Sequence, residues 1–243
     1  MSIGIAQIKQ IIGLRANTSN SIAYQDENTV VYPAGANIVL YNIDLKTQKF
    51  IPCSEKSTAL TTVCISPNRR YIALAEKIAD KPVVNIFDLH TLRKRKVLSS
   101  TEIQSSEIVS MAFSNDSKNL ITQGAGPDWT LLYWTWEKSK IMASTRVTSV
   151  AQPSSTVTQV SFNPQDNTQL CVIGNGIYKM FRYADGTLKN YSTLKQEAHN
   201  FTSHAWISEE RVIAGNDKAE IFLIQNGEVL LEHKLYDIKS LER

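Results

Sequence analysis

The sequence predicts an all-β protein made of repeated four-stranded sheets, the arrangement of a β-propeller. Two series of short apolar segments recur along its 243 residues in constant phase. Within the segments, apolar residues alternate with others at the period of two that is typical of strands. Clusters of Gly, Asn, Asp and Pro separate the segments, as turns between strands require.

The first series ends in a large apolar residue that a turn follows, as in "TTVCISPNRRYIALAEK". These end residues are separated by 48, 49 and 44 residues. The segment Ile22–Tyr24, before Gln-Asp-Glu, is a weaker first copy. The four clear members of the series are Ile65, Phe113, Phe162 and Trp206.

The second series consists of "IVLY", "VNIF", "LLYW", "YKMF" and "IFLI". Positions one and three are apolar in all five segments, and the fourth position is aromatic in four. The fourth residues are Tyr41, Phe87, Trp134, Phe181 and Ile224, at spacings of 46, 47, 47 and 43 residues. Two strand series in constant phase predict a repeated sheet unit.

Each repeat contains four predicted strands, which is one propeller blade. Strands such as "YIALA" and "TLLYWTW" are too uniformly apolar for a sheet with one wet face. Stacked blades explain this pattern, because each blade covers its neighbour. The predicted blades span about residues 21–54, 59–100, 107–147, 156–194 and 201–236.

A further strand is predicted at residues 5–12, "IAQIKQII", ahead of the first blade. The last blade already has its own fourth strand, "EVLLEHKL", so the N-terminal strand has no place in a closed ring. We therefore expect an incomplete arc of five blades, with a closed five-bladed ring as the alternative. An open arc exposes an apolar face that further chain or a partner must cover.

The composition argues against several partner classes. The net charge is only +3, and most of the cations are dispersed, so nucleic-acid binding is not expected. No apolar run is long enough to span a bilayer, and the N-terminus makes a poor signal peptide. Cys53, Cys64 and Cys171 match neither a disulfide framework nor a zinc site. We expect a reduced intracellular protein without membrane contact.

No catalytic or cofactor motif is present. His90, His199, His204 and His233 lack metal-ligand spacing. The loop "GAGPDW" lacks the Lys-Ser/Thr ending of a phosphate loop, and its proline removes an amide donor. We therefore expect no enzyme activity, no cofactor, no metal and no small-molecule substrate.

The residues Arg93, Lys94, Arg95 and Lys96 form a run of four cations before a predicted fourth strand. Alternate members of this run would face opposite sides of a strand. The run is either a solvated outer edge that blocks edge-to-edge pairing or a contact for an acidic partner surface.

Two further candidates for partner binding lie in predicted turns and loops. Arg69 and Arg70 lie in a turn between first and second strands, on the face opposite the Gly-rich loops. They are either a solvated turn or part of an interface. Trp129, in a loop after Pro127 and Asp128, is either a packing residue or a surface anchor, since exposed Trp is enriched at binding hot spots.

The repeats resemble those of WD-repeat proteins, with many departures. The family's Trp-Asp pair falls on the fourth residue of the second series and the residue after it. Only Phe87-Asp88 keeps the acid and only Trp134 keeps the Trp, while the family's Gly-His pair is absent. The His-Asp tetrad of the family is therefore not expected.

Longer and more irregular motifs resemble the N-terminal propeller of the cilia- and flagella-associated WD-repeat and coiled-coil family. They include "CISPNRRYIA" and "YWTWEK", and the resemblance extends over essentially the whole chain. The matching segments are residues 64–73, 93–98, 133–138, 160–169, 174–176 and 186–189.

This resemblance implies a non-catalytic scaffold of the ciliary axoneme, near the bases of inner dynein arms and the adjoining regulatory complexes. The implied partners are axonemal proteins such as dynein-arm, regulatory-complex or adaptor subunits, with tubulin as a further candidate. Family members continue into further blades and a coiled coil, so this chain is expected to be an N-terminal portion or a short relative. The alternative function is a general soluble WD-repeat adaptor outside cilia.

Overall fold

A computed structural model describes residues 8–79, 81–148, 155–194 and 199–235. These residues form five antiparallel sheets, each with four strands in sequence order. Each sheet is one blade, and the five sheets confirm the predicted repetition of a four-stranded unit. The described residues contain one short 3-10 helix, Trp136–Lys138, in the last turn of the third blade.

The strand bounds are as follows. Blade 1 contains β1 Ala23–Asp26, β2 Thr29–Ala34, β3 Asn37–Asn42 and β4 Thr47–Pro52. Blade 2 contains β5 Ser57–Ile65, β6 Tyr71–Ile78, β7 Lys81–Asp88 and β8 Lys94–Leu98. Blade 3 contains β9 Ile108–Phe113, β10 Asn119–Gly124, β11 Thr130–Thr135 and β12 Lys140–Arg146. Blade 4 contains β13 Val157–Phe162, β14 Gln169–Gly174, β15 Ile177–Ala184 and β16 Thr187–Thr193. Blade 5 contains β17 Phe201–Trp206, β18 Arg211–Asn216, β19 Glu220–Gln225 and β20 Glu228–Lys234.

The core consists of four hydrophobic clusters, each shared by two consecutive blades. Between blades 2 and 3, for example, Ile86 of one sheet and Leu132 of the next belong to one cluster, and both are fully buried. Blades 2, 3 and 4 are therefore covered on both faces, which explains why their central strands are apolar on both sides.

The fourth residues of the second series occupy equivalent places in successive blades. Phe87, Trp134, Phe181 and Ile224 are all buried, and each belongs to the cluster shared with the preceding blade. Tyr41 holds the same position in blade 1, which has no preceding blade, and it is only half-buried. The spacing in the sequence thus corresponds to the radial stacking of the sheets.

The turns that follow the first strands also repeat in atomic detail. In blade 2 the hydroxyl of Ser66 donates to Asn68 and accepts a hydrogen bond from the backbone of Tyr71. In blade 3 the hydroxyl of Ser114 makes the same two contacts, with Asp116 and the backbone of Asn119. Short polar side chains that bond to nearby backbone groups favour such turns.

The prediction of a strand at residues 5–12 is wrong for the part that the structure describes. Residues 5–7 lie outside the described ranges, and residues 8–12 contain no strand. The backbone of Ile11 instead bonds to the side-chain amide of Gln48 in β4, and the backbone N–H of Arg15 bonds to the carbonyl oxygen of Pro33. The segment crosses the face of blade 1 rather than following a sheet edge, so no ladder forms.

The five blades form an open arc. Among the described residues, no hydrophobic cluster contains members of both blade 1 and blade 5. The outer face of blade 5 carries one cross-strand row of apolar residues, within which Ile213 is 38% and Leu231 is 59% exposed. The row consists of Ala205, Ile213, Leu223 and Leu231.

Candidate interaction surfaces

Asp88 organises one end of blade 2. It is the last residue of β7, at the position of the family's Trp-Asp acid, and its side chain is 1% exposed. One carboxylate oxygen accepts hydrogen bonds from the backbone N–H groups of His90 and Thr91. The other accepts a hydrogen bond of 3.2 Å from Nε of Arg70 and lies 3.5 Å from Nη2 of Arg95. The carboxylate therefore holds two guanidinium groups in fixed places.

These contacts keep the carboxyl group of Asp88 in its ionised form. Burial acts to raise the pKa of the carboxyl group. The hydrogen bonds from Thr91, Arg70 and His90, together with the charge of Arg70, outweigh burial and hold the pKa at about 2. Asp88 thus remains ionised through the physiological range.

Five of the predicted partner-binding cations lie at the same end of blade 2 as Asp88. The turn between β5 and β6 and the turn between β7 and β8 lie at the same end of an antiparallel sheet. The first turn holds two of the cations and the second leads into the other three, all of them exposed. We call this set the basic cluster, and it consists of Arg69, Arg70, Arg93, Lys94 and Arg95.

The sixth cation of the predicted set lies apart from the others. Lys96 pairs across the strands with Ile86, whose side chain packs between blades 2 and 3. Lys94 pairs with Phe87, whose side chain packs between blades 1 and 2, and its ammonium lies 5.5 Å from the centre of that ring. A bulge between these two pairs leaves Arg95 unpaired. The run of four cations is therefore divided between the two faces of blade 2.

Arg69 connects the basic cluster to blade 1. Its backbone has a φ of 59°, in the left-handed region, at the tip of the turn after β5. Its Nη1 donates a hydrogen bond of 2.6 Å to the carbonyl oxygen of Tyr24 in β1. This guanidinium bridges the boundary between the first two blades. The Gly-rich "GAGPDW" loop, between β10 and β11, lies at the opposite end of its sheet from the turn after the first strand, as predicted for Arg69 and Arg70 relative to the Gly-rich loops.

A cavity of about 270 Å³ opens at this boundary, and we call it the seam pocket. Its floor is formed by the buried side chains of Leu40 and Leu89, one from each blade. The wall from blade 1 includes Leu45, which is 73% exposed. His90 lines the pocket on the side of blade 2 and lies two residues from Asp88, which places the basic cluster beside the opening. Polar and charged residues at the rim include Asp26, Thr47 and Lys49.

Trp129 is less accessible than a surface anchor would be. Its ring is half-buried and packs against the hydrophobic cluster between blades 3 and 4. The indole lies beside Gly126. A Cβ atom at position 126 would be 3.4 Å from the indole nitrogen of Trp129. Its backbone carbonyl also accepts a hydrogen bond from Val147. Trp129 thus holds the loop against the sheet.

A Ser-His pair lies between blades 4 and 5. The hydroxyl of Ser161 lies 2.5 Å from Nε2 of His204 and accepts a hydrogen bond from the indole N–H of Trp206. Burial lowers the pKa of His204 to about 4, so the imidazole is neutral at physiological pH. Among the described residues, its Nδ1 has no hydrogen-bond partner, and none of their acids orients the ring as nucleophilic catalysis requires. The geometry favours a structural role in joining the two blades.

The described part of the chain offers few other reactive groups. Burial raises the thiol pKa of Cys53 to about 11 and raises those of Cys64 and Cys171 as well. Within the described ranges, no group of three or more His, Cys, Asp or Glu residues is arranged to hold a metal ion. The same residues include no helix with the length and apolarity needed to cross a bilayer.

Sequence reasoning identified the individual cations but missed their convergence on Asp88 and the seam pocket. The available signal was that Phe87-Asp88 alone retains the acid among the five repeats. In a four-stranded meander, that acid lies at the same end as the turn containing Arg70. The seam pocket had no comparable signal, because its floor residues Leu40 and Leu89 come from different blades.

Comparison with known proteins places the chain among ciliary proteins. No protein-family model matches it. It is 44% identical over 230 residues to mouse cilia- and flagella-associated protein 57, and the aligned region covers 94% of this chain and 18% of that protein. It is 30% identical over 190 residues to cilia- and flagella-associated protein 57 C of Tetrahymena thermophila, covering 74% of this chain and 14% of that protein.

More distant relatives carry related names. Mouse cilia- and flagella-associated protein 44 is 25% identical over 215 residues, covering 85% of this chain and 11% of that protein. The chain thus spans less than a fifth of the length of each of these three relatives.

Solved structures support the fold. A chain in the crystal structure of the mitotic checkpoint complex superposes with a TM-score of 0.72 at 12% identity, covering 96% of this chain and 74% of that one. The β-propeller domain of Myceliophteria thermophila Cps50 (Swd1) superposes with a TM-score of 0.60 at 18% identity, covering 74% of this chain and 56% of that one. At these identities the likeness concerns the fold alone. The identities of 44% and 30% to the two ciliary relatives show that the chain belongs to the family of cilia- and flagella-associated WD-repeat proteins that includes proteins 57, 44 and 43.

Proposed function

We propose that this chain is a non-catalytic protein-interaction scaffold of the ciliary or flagellar axoneme. The observation that carries the proposal is the 44% identity over 94% of the chain to cilia- and flagella-associated protein 57 of mouse. The finer part of the proposal is that the scaffold contributes to docking or regulating inner dynein arms. Its partners are then axonemal proteins, and its location is the cytoskeleton of the cilium.

The architecture supports a scaffold. Five blades joined by shared cores make a rigid body with long rims of turns, which suits the presentation of contact surfaces. The buried Ser161–His204 pair lacks an orienting acid, and the three thiols have raised pKa values. Activated nucleophiles in enzymes have lowered pKa values or an adjacent oriented base.

Localisation tests the coarse proposal. The chain fused to a fluorescent protein should mark the cilium in ciliated cells and remain with the axoneme after detergent extraction. The control is the same fusion carrying Phe222→Ala, which removes a fully buried ring from the core between blades 4 and 5. A folded chain that stays in the cell body would contradict the proposal and favour a general cytoplasmic adaptor.

The dynein-arm proposal needs a separate measurement. Deleting the matching region from the resident ciliary protein should reduce inner dynein arms in axonemes, measured by electron microscopy and quantitative mass spectrometry. Outer dynein arms serve as the internal control. Normal inner arms in axonemes that lack this region would contradict the finer proposal and leave the ciliary location intact.

A further inference from the structure

We propose that the basic cluster and the seam pocket form one docking site for an acidic peptide segment with an apolar anchor residue. This inference deepens the proposed scaffold function by naming the chemistry of one partner. The site lies across the boundary between blades 1 and 2, at the end that carries Asp88.

The first step of the argument concerns charge. The five cations of the basic cluster lie at the end of blade 2 that carries Asp88, whose carboxylate is buried and already contacts four donors, two of them Arg70 and Arg95. The side chains of Arg70 and Arg95 remain 49% and 48% exposed while paired with it. The exposed surface is therefore strongly cationic, and guanidinium groups held by a carboxylate lose less entropy on binding a second one.

The second step concerns the pocket. The cavity of about 270 Å³ has an apolar floor and is smaller than the ~300–1,000 Å³ typical of small-molecule sites. It has room for a peptide side chain, and Leu45 at its wall exposes 73% of its surface without a neighbour to cover it. Leu40 and Leu89 are already buried, so an apolar side chain seated in the cavity gains chiefly by covering part of the exposed surface of Leu45.

The third step gives the site a direction. The rim on blade 1 carries three exposed acids, Asp26, Glu27 and Asp44, and two exposed cations, Lys46 and Lys49. This side of the pocket therefore lacks the positive excess of the basic cluster, and an acidic partner is attracted mainly toward blade 2. The structure favours a peptide whose carboxylates all lie on one side of its apolar residue.

The fourth step concerns rigidity. Arg69 links the two blades through its hydrogen bond to the carbonyl oxygen of Tyr24. The carboxylate of Asp88 positions Arg70 and Arg95. A site whose charged groups are already in place loses little order when a partner binds.

The experiment measures binding of the purified chain to fluorescent peptides by anisotropy at low ionic strength. The probe contains one leucine and a run of glutamates on one side of it, and both orders are tested. We expect one order to bind, and we expect binding to weaken about tenfold or more as ionic strength rises to about 0.15 M. Replacing the glutamates with glutamine should abolish binding, and replacing the leucine with serine should weaken it several-fold.

Two pairs of variants locate the site. Arg93→Gln with Lys94→Gln removes two exposed cations without leaving Asp88 unpaired, and we expect about five- to tenfold weaker binding. The matched control, Lys140→Gln with Lys189→Gln, removes two exposed cations from blades 3 and 4 and should change binding less than twofold. Leu45→Asp should weaken binding several-fold, whereas Ile207→Asp, at an exposed position on blade 5, should not.

Several results would overturn the inference. Equal losses in the test and control variants would show attraction to net charge alone. Unchanged binding of the glutamine peptide would exclude the cationic site. Tighter binding to an RNA, a phosphopeptide or an anionic vesicle of matched charge would assign the surface to another partner. None of these results bears on ciliary localisation, so a failure here is distinguishable from a failure of the proposed function.

Discussion

The two terminal blades of the arc, blade 1 and blade 5, differ in whether their outward sheet face is covered. On blade 1, Val39 points away from blade 2 and is nevertheless fully buried, because the N-terminal segment passes over this face and is fixed at Gln48. On blade 5, none of the described residues covers the corresponding face in this way, and Leu231 is 59% exposed. Among the described residues, a segment of the chain covers the outward face of blade 1 but not that of blade 5.

The end with a cover is also joined more closely to its neighbour. After crossing blade 1, the N-terminal segment reaches the inner strand of blade 2, where Thr18 donates to the carbonyl of Leu60 and Ser19 pairs with Thr62. One segment therefore bonds to both of the first two blades. Local unfolding should begin at blade 5, where fewer contacts hold the outer sheet.

The largest expected effect contrasts the two faces of one strand. Phe222 and Leu223 are neighbours in β19, but Phe222 packs between blades 4 and 5 and Leu223 lies in the outward row. Phe222→Ala should lower the free energy of unfolding by about 4 kcal/mol, and Leu223→Ala by about 1 kcal/mol. Urea denaturation followed by tryptophan fluorescence would measure both, and equal losses would show that the outward face is covered in solution.

The next effect is a pH dependence confined to the open end. The folded pKa of His204 is about 4, below its ordinary value near 6.5, so the folded state resists protonation. The stabilisation is complete above pH 6.5 and is lost progressively down to about pH 4, about 3 kcal/mol in all. Asp88, with a pKa of about 2, keeps its contribution over the same range.

Hydrogen exchange at pH 7 and near pH 4.5 would locate this effect, with faster exchange in blade 5 than in blade 2 at the lower pH. In the His204→Gln variant, the extra loss of exchange protection in blade 5 at low pH should disappear, because the variant lacks the titrating histidine. Uniform loss of protection across all blades on acidification would contradict the assignment to His204.

A smaller effect tests the cover on blade 1. Gln48→Ala removes two hydrogen bonds, of 2.7 and 3.1 Å, between the side-chain amide and the backbone of Ile11. We expect a loss of about 1–2 kcal/mol and faster exchange of the amides near Val39. Lys49→Ala, on the opposite face of β4, is the control. Unchanged exchange near Val39 would show that the segment does not protect this face.

The smallest effect concerns the open row itself. Leu231→Ser should change stability by less than about 0.5 kcal/mol, because the side chain is already exposed. It should reduce concentration-dependent association of the chain, measured by analytical ultracentrifugation, since it interrupts an exposed apolar row. Increased association of the variant would contradict an adhesive role for this face.

Much of the fold was predictable from residue spacing. Phe87, Trp134, Phe181 and Ile224 were placed in one structural position from their spacing alone, and the structure confirms that they share it. The prediction worked because strand alternation follows directly from backbone geometry, and a constant period indicates a repeated unit.

One prediction failed for a reason that is not local, and for Trp129 the structure favours one of the two alternatives for a similar reason. Residues 8–12 have apolar character but no sheet edge to pair with, so they lie across a face instead. Trp129 lies in a loop after Pro127 and Asp128, but its ring is partly buried against the hydrophobic cluster between blades 3 and 4. In both cases a neighbour distant in sequence decided the outcome.

The sequence by itself determined the number of sheets, the order of their strands and the faces that they bury, since these depend on alternation and spacing along one chain. Only the tertiary structure decided that Arg70 and Arg95 share the carboxylate of Asp88 and that Leu40 and Leu89 meet beneath a pocket. The approach of separate turns depends on how sheets twist and stack, and no local pattern of residues records that geometry.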